Sequence, residues 1–274
     1  MSMVDTAGVR TTARLVGPPR RSALFDSVAV LGVQVAFGVA AIVLWQLAAE
    51  YGWINGQLFG SPLGIYNAFL RTLRDGSLGL DTGLTLVETL SGFVLGTALG
   101  TFAGLALWFS RLGARIVEPA AVAFNGVPKI ALGPLIIIWL GAGITSKIVL
   151  AFVSTLVVAF LAAYSATREL DPDLVTLFRS HRASRIDIFR KLLFPSALPL
   201  IAAAMRINVG FALVGAVVGE FISSSHGLGH AIFVAGNLFD LNTVWLGVFV
   251  LSLVAAAMYA AVGALERIVV KGRP

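Results

Sequence analysis

Two stretches hold residue types that elsewhere carry out chemistry. Gly141 to Lys147 (GAGITSK) has the length of a phosphate-binding loop, whose glycines expose backbone amides to phosphate oxygens and whose lysine reaches the outer phosphates. Here Ser146 stands at the second glycine position, Ile148 replaces the hydroxyl residue that would hold magnesium, and no strand leads in. We read it as an outer loop between apolar segments. His226 and His230 have the spacing that puts two imidazoles on one helical face as metal ligands. Gly227 and Gly229 interrupt such a helix and no third ligand adjoins, so the stretch reads as a glycine-rich outer hairpin without metal. The chain has no cysteine, which removes disulfides, iron–sulfur clusters and cysteine–zinc sites. No nucleophile, base or metal set converges in the pattern, and catalysis is not expected.

What remains is a handful of polar side chains inside apolar runs: Asn125, Lys129, Arg206, Asn208 and Glu220. Isolated charge in hydrocarbon is costly, so these are candidates for lining a solute path. Lys129 follows Asn125 by one helical turn. Its ammonium suits an anionic solute, and it equally suits backbone carbonyls freed by Pro134. Arg206 and Glu220 fall on nearly one face of a single helix, too far apart to pair. The plainer reading of Arg206 is a side chain reaching the headgroups or a neighbouring helix. That of Glu220 is a hydrogen bond between helices near the outer surface.

The elements that must position these residues are membrane helices. Hydrophobic residues make up 58% of the 274 and charged residues 12%, too apolar for a soluble domain and the opposite of a disordered chain. Apolar stretches at 27–49, 83–109, 119–140, 147–164, 198–221 and 243–264 are long enough to cross a bilayer core at about 1.5 Å per residue. The expected fold is all-α, a polytopic membrane protein with six transmembrane helices. Residues 1–25 read as a disordered basic tail rather than a signal peptide, and 26–274 as one transmembrane domain.

Lysine and arginine set the orientation. Four lie in the tail, two in the second loop, six in the segment 165–197 and three in the C-terminal tail, against only Arg71, Arg74 and Lys147 on the other side. Both termini and the 165–197 segment are therefore expected in the cytoplasm. The net charge of +6 is a topology signal and not a nucleic-acid footprint. Ser61-Pro62 starts a helix whose Leu63, Tyr66, Leu70 and Leu73 share a face, suited to the outer interface. Gly92, Gly96, Gly100 and Gly104 form a groove for close helix packing, within the chain by default. Pro128 and Pro134 around Lys129 predict an interrupted third span that lines something other than lipid.

The segment 165–197 reads as two short helices. Asp171 before Pro172 caps the first, whose Leu174, Leu177, Phe178 and His181 recur at helical spacing. Ser184 and Asp187 form a capping box for the second, with Ile186, Phe189 and Leu193 as its stripe; Pro195 and Pro199 are expected to end it. A basic helix pair that is apolar on one side and set between membrane spans suits docking of a cytoplasmic partner.

Here the chain resembles the permease subunits of bacterial ABC importers, and within them the nitrate, sulfonate and taurine group. The resemblance rests on Arg179-Ser180, Ala183-Ser184-Arg185 and Phe189 through Pro199, supported in order by Ser61-Pro62, Gly92-Phe93, Val127 through Pro134, Trp139 through Gly143, Asp171 through Leu174, Arg206, Glu220, Gly227-Leu228-Gly229 and Leu265-Glu266-Arg267. It implies a six-span core with a cytoplasmic coupling loop, placed in the bacterial inner membrane. It also implies a second permease copy, expected as a homodimer, two cytoplasmic ATP-binding subunits and an extracytoplasmic solute-binding protein. ATP and magnesium would bind the partner ATPase, leaving this chain without cofactor. The solute would be small and anionic, a sulfonate, taurine or nitrate. The ATPase-coupling residues would be Leu174, Leu177, Phe178, Arg179, His181, Arg182, Ala183, Ser184 and Asp187. Arg182 stands where the family usually has glycine, Thr176-Leu177-Phe178 where it has Glu-Ala-Ala, and Glu88 where an arginine often precedes Gly92. A sharp turn at Arg182 must either hold an unfavourable positive φ or take another shape. The rival is an ion-driven secondary transporter working without ATPase subunits. It calls for acidic residues near the bilayer middle, and Glu88 and Glu220 are both expected near outer ends.

Overall fold

Hydrocarbon offers the backbone no hydrogen-bond partner, so each apolar run closes its own ladder as a helix. The computed structural model describes residues 22–271, with side chains from Val30 to Ile268. Its helices are α1 (Ser22–Glu50), α2 (Gly56–Phe59), α3 (Pro62–Arg74), α4 (Ser77–Ala106), α5 (Arg111–Gly126), α6 (Gly133–Leu140), α7 (Ile144–Arg168), α8 (Pro172–Ser180), α9 (Arg185–Ile188), α10 (Phe194–Ser223), α11 (Leu228–Asn237) and α12 (Leu241–Lys271). Among the described residues there is no strand. Five helical stretches are long and apolar enough to cross a membrane, and a sixth arises when α5 and α6 count as one broken span. Helix α1 begins at Ser22, inside the predicted tail; residues 1–21 lie outside the described part.

The core is the packing of α4, α7 and α10. A Cβ added at Gly92 would strike Ala151, at Gly96 the Thr155 hydroxyl, at Gly100 Ala159 and at Gly104 Ala163. The glycine groove therefore seats a stripe of small residues on α7, and backbone meets backbone along three turns. Thr155 adds a hydroxyl hydrogen bond to the Gly92 carbonyl at 3.3 Å. Gly215 brings α10 against the backbone of Ala151 on the other side of α7. In lipid such close approach replaces the hydrophobic drive that water would supply.

The third span is broken more sharply than a kink. Helix α5 stops at Gly126, a 3-10 turn covers Lys129–Leu132, and α6 departs at 88°. Val127 must be extended because Pro128 follows it, and its φ of −70° and ψ of 130° show this. Gly133 then packs against Leu150 of α7 and Ile222 of α10, so the pair carries the chain from one end of the bundle to the other.

At the end bearing α8 and α9, one sequence expectation changes and one pair of alternatives is decided. Pro195 and Pro199 do not end the second short helix. Helix α9 runs through a π-turn at Phe189–Leu193 straight into α10, giving one continuous helix over Arg185–Ser223. The π-turn bonds Phe194 N–H back to the Phe189 carbonyl. This wider turn falls just before Pro195, where a regular ladder would need an N–H that proline lacks. It also rotates the register: Ile188 and Leu193 are buried, whereas Ile186, expected on the same stripe, points outward. The alternatives concern Arg182, which holds φ at +58°. Arg182 N–H bonds the Arg179 carbonyl and Ala183 N–H bonds the Phe178 carbonyl, the paired pattern that closes a helix through a left-handed residue. The glycine-type turn is kept although the glycine is absent.

Two outcomes test this packing. Gly96→Leu should destabilise the detergent-solubilised protein by about 1–3 kcal/mol or more through overfilling, lowering its thermal aggregation midpoint. Val94→Leu, on an exposed face, should not. An equal midpoint for both variants would contradict the groove. Arg182→Gly should relieve about 1 kcal/mol of backbone strain and slow hydrogen exchange of the Ala183 amide roughly fivefold, while Arg182→Val should speed it. Faster exchange in the glycine variant would show that the turn is not strained.

Candidate functional site

The helix pair α8–α9 forms a knob at one end of the bundle. Asp171 accepts from the Asp173 N–H at 2.8 Å, and Pro172 occupies the first helical position, so the start of α8 is satisfied locally. Ser184 and Asp187 make the expected capping box: Ser184 N–H donates to Asp187 Oδ2 at 3.0 Å and Asp187 N–H to Ser184 Oγ at 3.1 Å. The root of the knob is buried through Leu193, Ala197 and Ile201, packed with Leu105 of α4 and Ala163 and Ala166 of α7. Phe189 packs against Phe109 with the rings tilted by 42° and their centroids 5.1 Å apart. With the root anchored, the outward face shows Leu174, Leu177 (52% exposed) and Ile186 (57% exposed). Arg179, His181, Arg182 and Ser184 are exposed around them, and Ala183 and Asp187 partly so. The His181 ring bonds back to the Leu177 carbonyl at 3.0 Å. Phe178, expected beside Leu177 as an anchor, is half-buried and less available on the outward face than Leu177.

The opposite end holds a buried polar cluster that corrects several expectations. Lys147, assigned to an outer loop, lies inside the first turn of α7 and is 1% exposed. Its ammonium donates to the carbonyls of Ala142 and Ser223, the latter at the C-terminus of α10, where the helix dipole favours a cation. Glu220 is fully buried: Thr85 Oγ1 donates to its Oε1 at 2.6 Å and Gly229 N–H to its Oε2 at 2.5 Å. Glu88 lies beside it, and the Lys147 charge is nearby. Gly227 to Gly229 is not a hairpin but the start of α11. Gly227 N–H is taken by Asp81 at 2.8 Å and Leu228 N–H by Thr85 at 2.9 Å. Side chains of α4 and α10 thus cap the orphan amides of α11. Gly227 sits at φ +111°, where a side chain would also strike the Glu220 carboxyl. His226 approaches Asp81 at 3.9 Å, while His230 lies on α11 along a crevice of about 290 Å³ that Arg71 and Asp240 also line.

This end is fastened to the first third of the chain as well. Arg71 of α3 bonds Asp240 at 3.0 Å and Thr243 at 2.9 Å, and Ser61 N–H donates to Asn242 at 2.9 Å. Partial burial pushes the Asp240 carboxyl up, but the Thr243 hydroxyl and amide, with Arg71, outweigh it and hold it below the ordinary carboxylate range. Leu63, Tyr66 and Leu73 of α3 face outward, as an interfacial helix requires.

The remaining candidates separate into two groups. Asn208 is fully buried where three helices meet, its Nδ2 donating to Thr97 of α4 at 3.1 Å and to the Thr155 carbonyl of α7 at 3.2 Å. Arg206 pairs with Glu266 of α12 and lies 5.6 Å from the Tyr259 ring centre. Together with Glu220 these residues join helices in this conformation. Asn125 is exposed and Lys129 partly exposed at the break of the third span. Lys129 Nζ donates to the carbonyl and the side-chain oxygen of Asn125, both at 3.2 Å. The carbonyl it satisfies is the one freed where α5 ends, not one freed by Pro134. Sequence reading missed Asp81 and Thr85, although with Glu88 they recur at helical spacing inside an apolar run. It also missed Glu118, whose carboxylate accepts from Tyr164 at 2.8 Å and Arg168 at 2.5 Å.

Comparison with known proteins agrees with this architecture. Residues 96–271 match the family described as binding-protein-dependent transport system inner membrane component. The riboflavin transport system permease protein RibX of Chloroflexus aurantiacus is 30% identical over 88% of this chain and 90% of its own length. The aliphatic sulfonates transport permease protein SsuC of Escherichia coli is 29% identical over 86% and 90%. The formylaminopyrimidine transport permease protein ThiX of Halalkalibacterium halodurans is 30% identical over 86% and 94%. A solved inward-facing structure of the MetNI methionine ABC transporter shares the fold at TM-score 0.61 and 22% identity, covering 69% of this chain and 94% of that one. The chain belongs to the family of binding-protein-dependent transport system inner membrane components, as a permease subunit of the ABC-importer type.

Proposed function

We propose that the knob is the surface through which ATP-driven motion enters this permease, and that the spans move a small anionic solute delivered by an extracytoplasmic binding protein. The observation that carries this reading is the knob face itself. Leu174, Leu177 and Ile186 stand exposed on two short, separately capped helices whose root is rigidly packed, the form an apolar plug needs to fill a cleft on a partner. The family supplies the partner class, ATPase subunits separate from this chain. ATP and magnesium then bind those subunits, and this chain carries neither cofactor nor catalytic group. A second copy of the permease, expected to be identical, completes the pathway. The excess of lysine and arginine on the knob side supports a cytoplasmic place for that side and for both termini.

The anionic solute rests on Lys129, a partly exposed lysine at the broken third span. It also rests on the aliphatic sulfonates named for a relative. The relatives named for riboflavin and formylaminopyrimidine, at similar identity, supply the competing solutes. Taurine uptake with the cognate binding protein, set against riboflavin uptake, decides between them. An ion-driven carrier working alone finds no support in the family, and Glu220 is spent on capping α11, with Glu88 buried beside it.

Leu177→Asp should leave membrane insertion intact and remove recovery of the ATPase with the permease. Losing a central apolar anchor costs about 2 kcal/mol or more of binding, beyond tenfold in affinity. Phe178→Asp should do the same but also lower thermal stability, since that ring is half-buried. Full ATPase recovery by the Leu177→Asp protein would show that the knob is not the docking element.

A further inference from the structure

Helix α5 is poorly fastened for a segment that crosses half a membrane. It has no buried residue, and an apolar crevice of about 240 Å³, lined by Gly100, Val117, Ala121, Phe124, Leu156 and Phe160, separates it from α4 and α7. Among the described residues, its polar link to the rest of the bundle is Glu118. One carboxylate oxygen accepts from the Tyr164 hydroxyl at 2.8 Å, the other from Arg168 Nη1 at 2.5 Å. Tyr164 is buried and stacks on Phe160, directly beside Ala163 in the glycine groove, so this side of the clasp is immobile. Arg168 is the last residue of α7, and the knob follows after three residues. The Arg168 and Glu118 side chains are 63% and 33% exposed, and a pair so open to solvent contributes little to stability. Its geometry serves position instead: one carboxylate is held at two points by the base of the knob.

We propose that Glu118, Tyr164 and Arg168 form a positioning clasp that makes α5, and with it the Lys129 break, follow the knob when the knob moves. This rests on the reading of the knob as the ATPase-docking element. The residues are not pathway residues; they act through α5. Without the clasp, the crevice leaves α5 free to stay behind while α7 and the knob shift.

The absence of cysteine in the chain permits paired spin labels without background. Labels at Val122→Cys on α5 and Glu169→Cys at the knob base of one permease copy, the other copy unlabelled, report the distance in the reconstituted permease–ATPase assembly, before and after trapping with magnesium-ATP and orthovanadate. The clasp predicts one narrow distance that trapping leaves unchanged. In Glu118→Gln combined with Tyr164→Phe, trapping should shift or broaden it by about one helical turn, roughly 5 Å. Exchange of the charges, Glu118→Arg with Arg168→Glu, should restore the narrow distance. ATPase recovery is measured on the same samples. It should be unaffected by all clasp variants, which separates failure of the clasp from failure of the docking surface. An unchanged distance in the Gln–Phe variant with ATPase bound, or a shift of that size in the unaltered clasp, would overturn the proposal. If the Gln–Phe variant does not fold, Glu118→Ala, which removes both contacts at a partly exposed position, is compared, and a distance as narrow as that of the native chain would count equally against it.

Discussion

Everything in this permease depends on the approach of α4 to α7. Lipid tails are as apolar as leucine, so burying side chains between membrane helices gains little from solvent, and tight packing must do the holding. Gly92, Gly96, Gly100 and Gly104 supply a groove without Cβ atoms, and Ala151, Thr155, Ala159 and Ala163 supply a ridge small enough to enter it. The match continues on the far side of α7, where Gly215 admits α10 to the same residue that Gly92 touches. Asn208 then ties all three helices by hydrogen bonds that lipid would otherwise leave unmade. The result is a core whose members have no room to slide.

Both ends of the molecule are built on that core. At one end α10 continues backward through the π-turn into α9, so the knob is an extension of a core helix and not a loop hung from it. At the other, Thr85 of α4 and Glu220 of α10 hold the first turn of α11. Burying these groups unpaired would cost several kcal/mol, roughly, and pairing them converts that liability into a fixed direction for α11. The segments outside the core are different in kind. Helix α5 has no fully buried residue, and α1 is exposed from Val30 to Leu44.

The sequence made the local features legible: the glycine spacing, both caps of the knob, the break between Pro128 and Pro134, and the question posed by Arg182. Each of these is written in residues less than a few turns apart. The far-end lock was not legible, because Thr85 and Glu220 are 135 residues apart and each alone looks like a stray polar group in an apolar run. Lys147 was misplaced for a related reason: a lysine next to a turn reads as exposed until the carbonyls that receive it are known. The continuity of α9 with α10 ran against the local rule for proline, and only the wider π-turn reconciles it with Pro195. The pairing of Arg206 with Glu266 joins two pieces of the family resemblance that sequence alone left as separate motifs.

The central claim is that the knob, α10, α7 and α4 form one rigid body. Fluorophores at Arg190→Cys beside the knob and Leu90→Cys on α4, in one of two permease copies, report on that body, and both positions are exposed without belonging to the docking face. Single-molecule energy transfer in the assembled transporter should give one distance that is the same before and after trapping with magnesium-ATP and orthovanadate. A second population, or a shift of about 5 Å on trapping, the size of one helical turn, would show that the knob moves independently of the core and contradict the account.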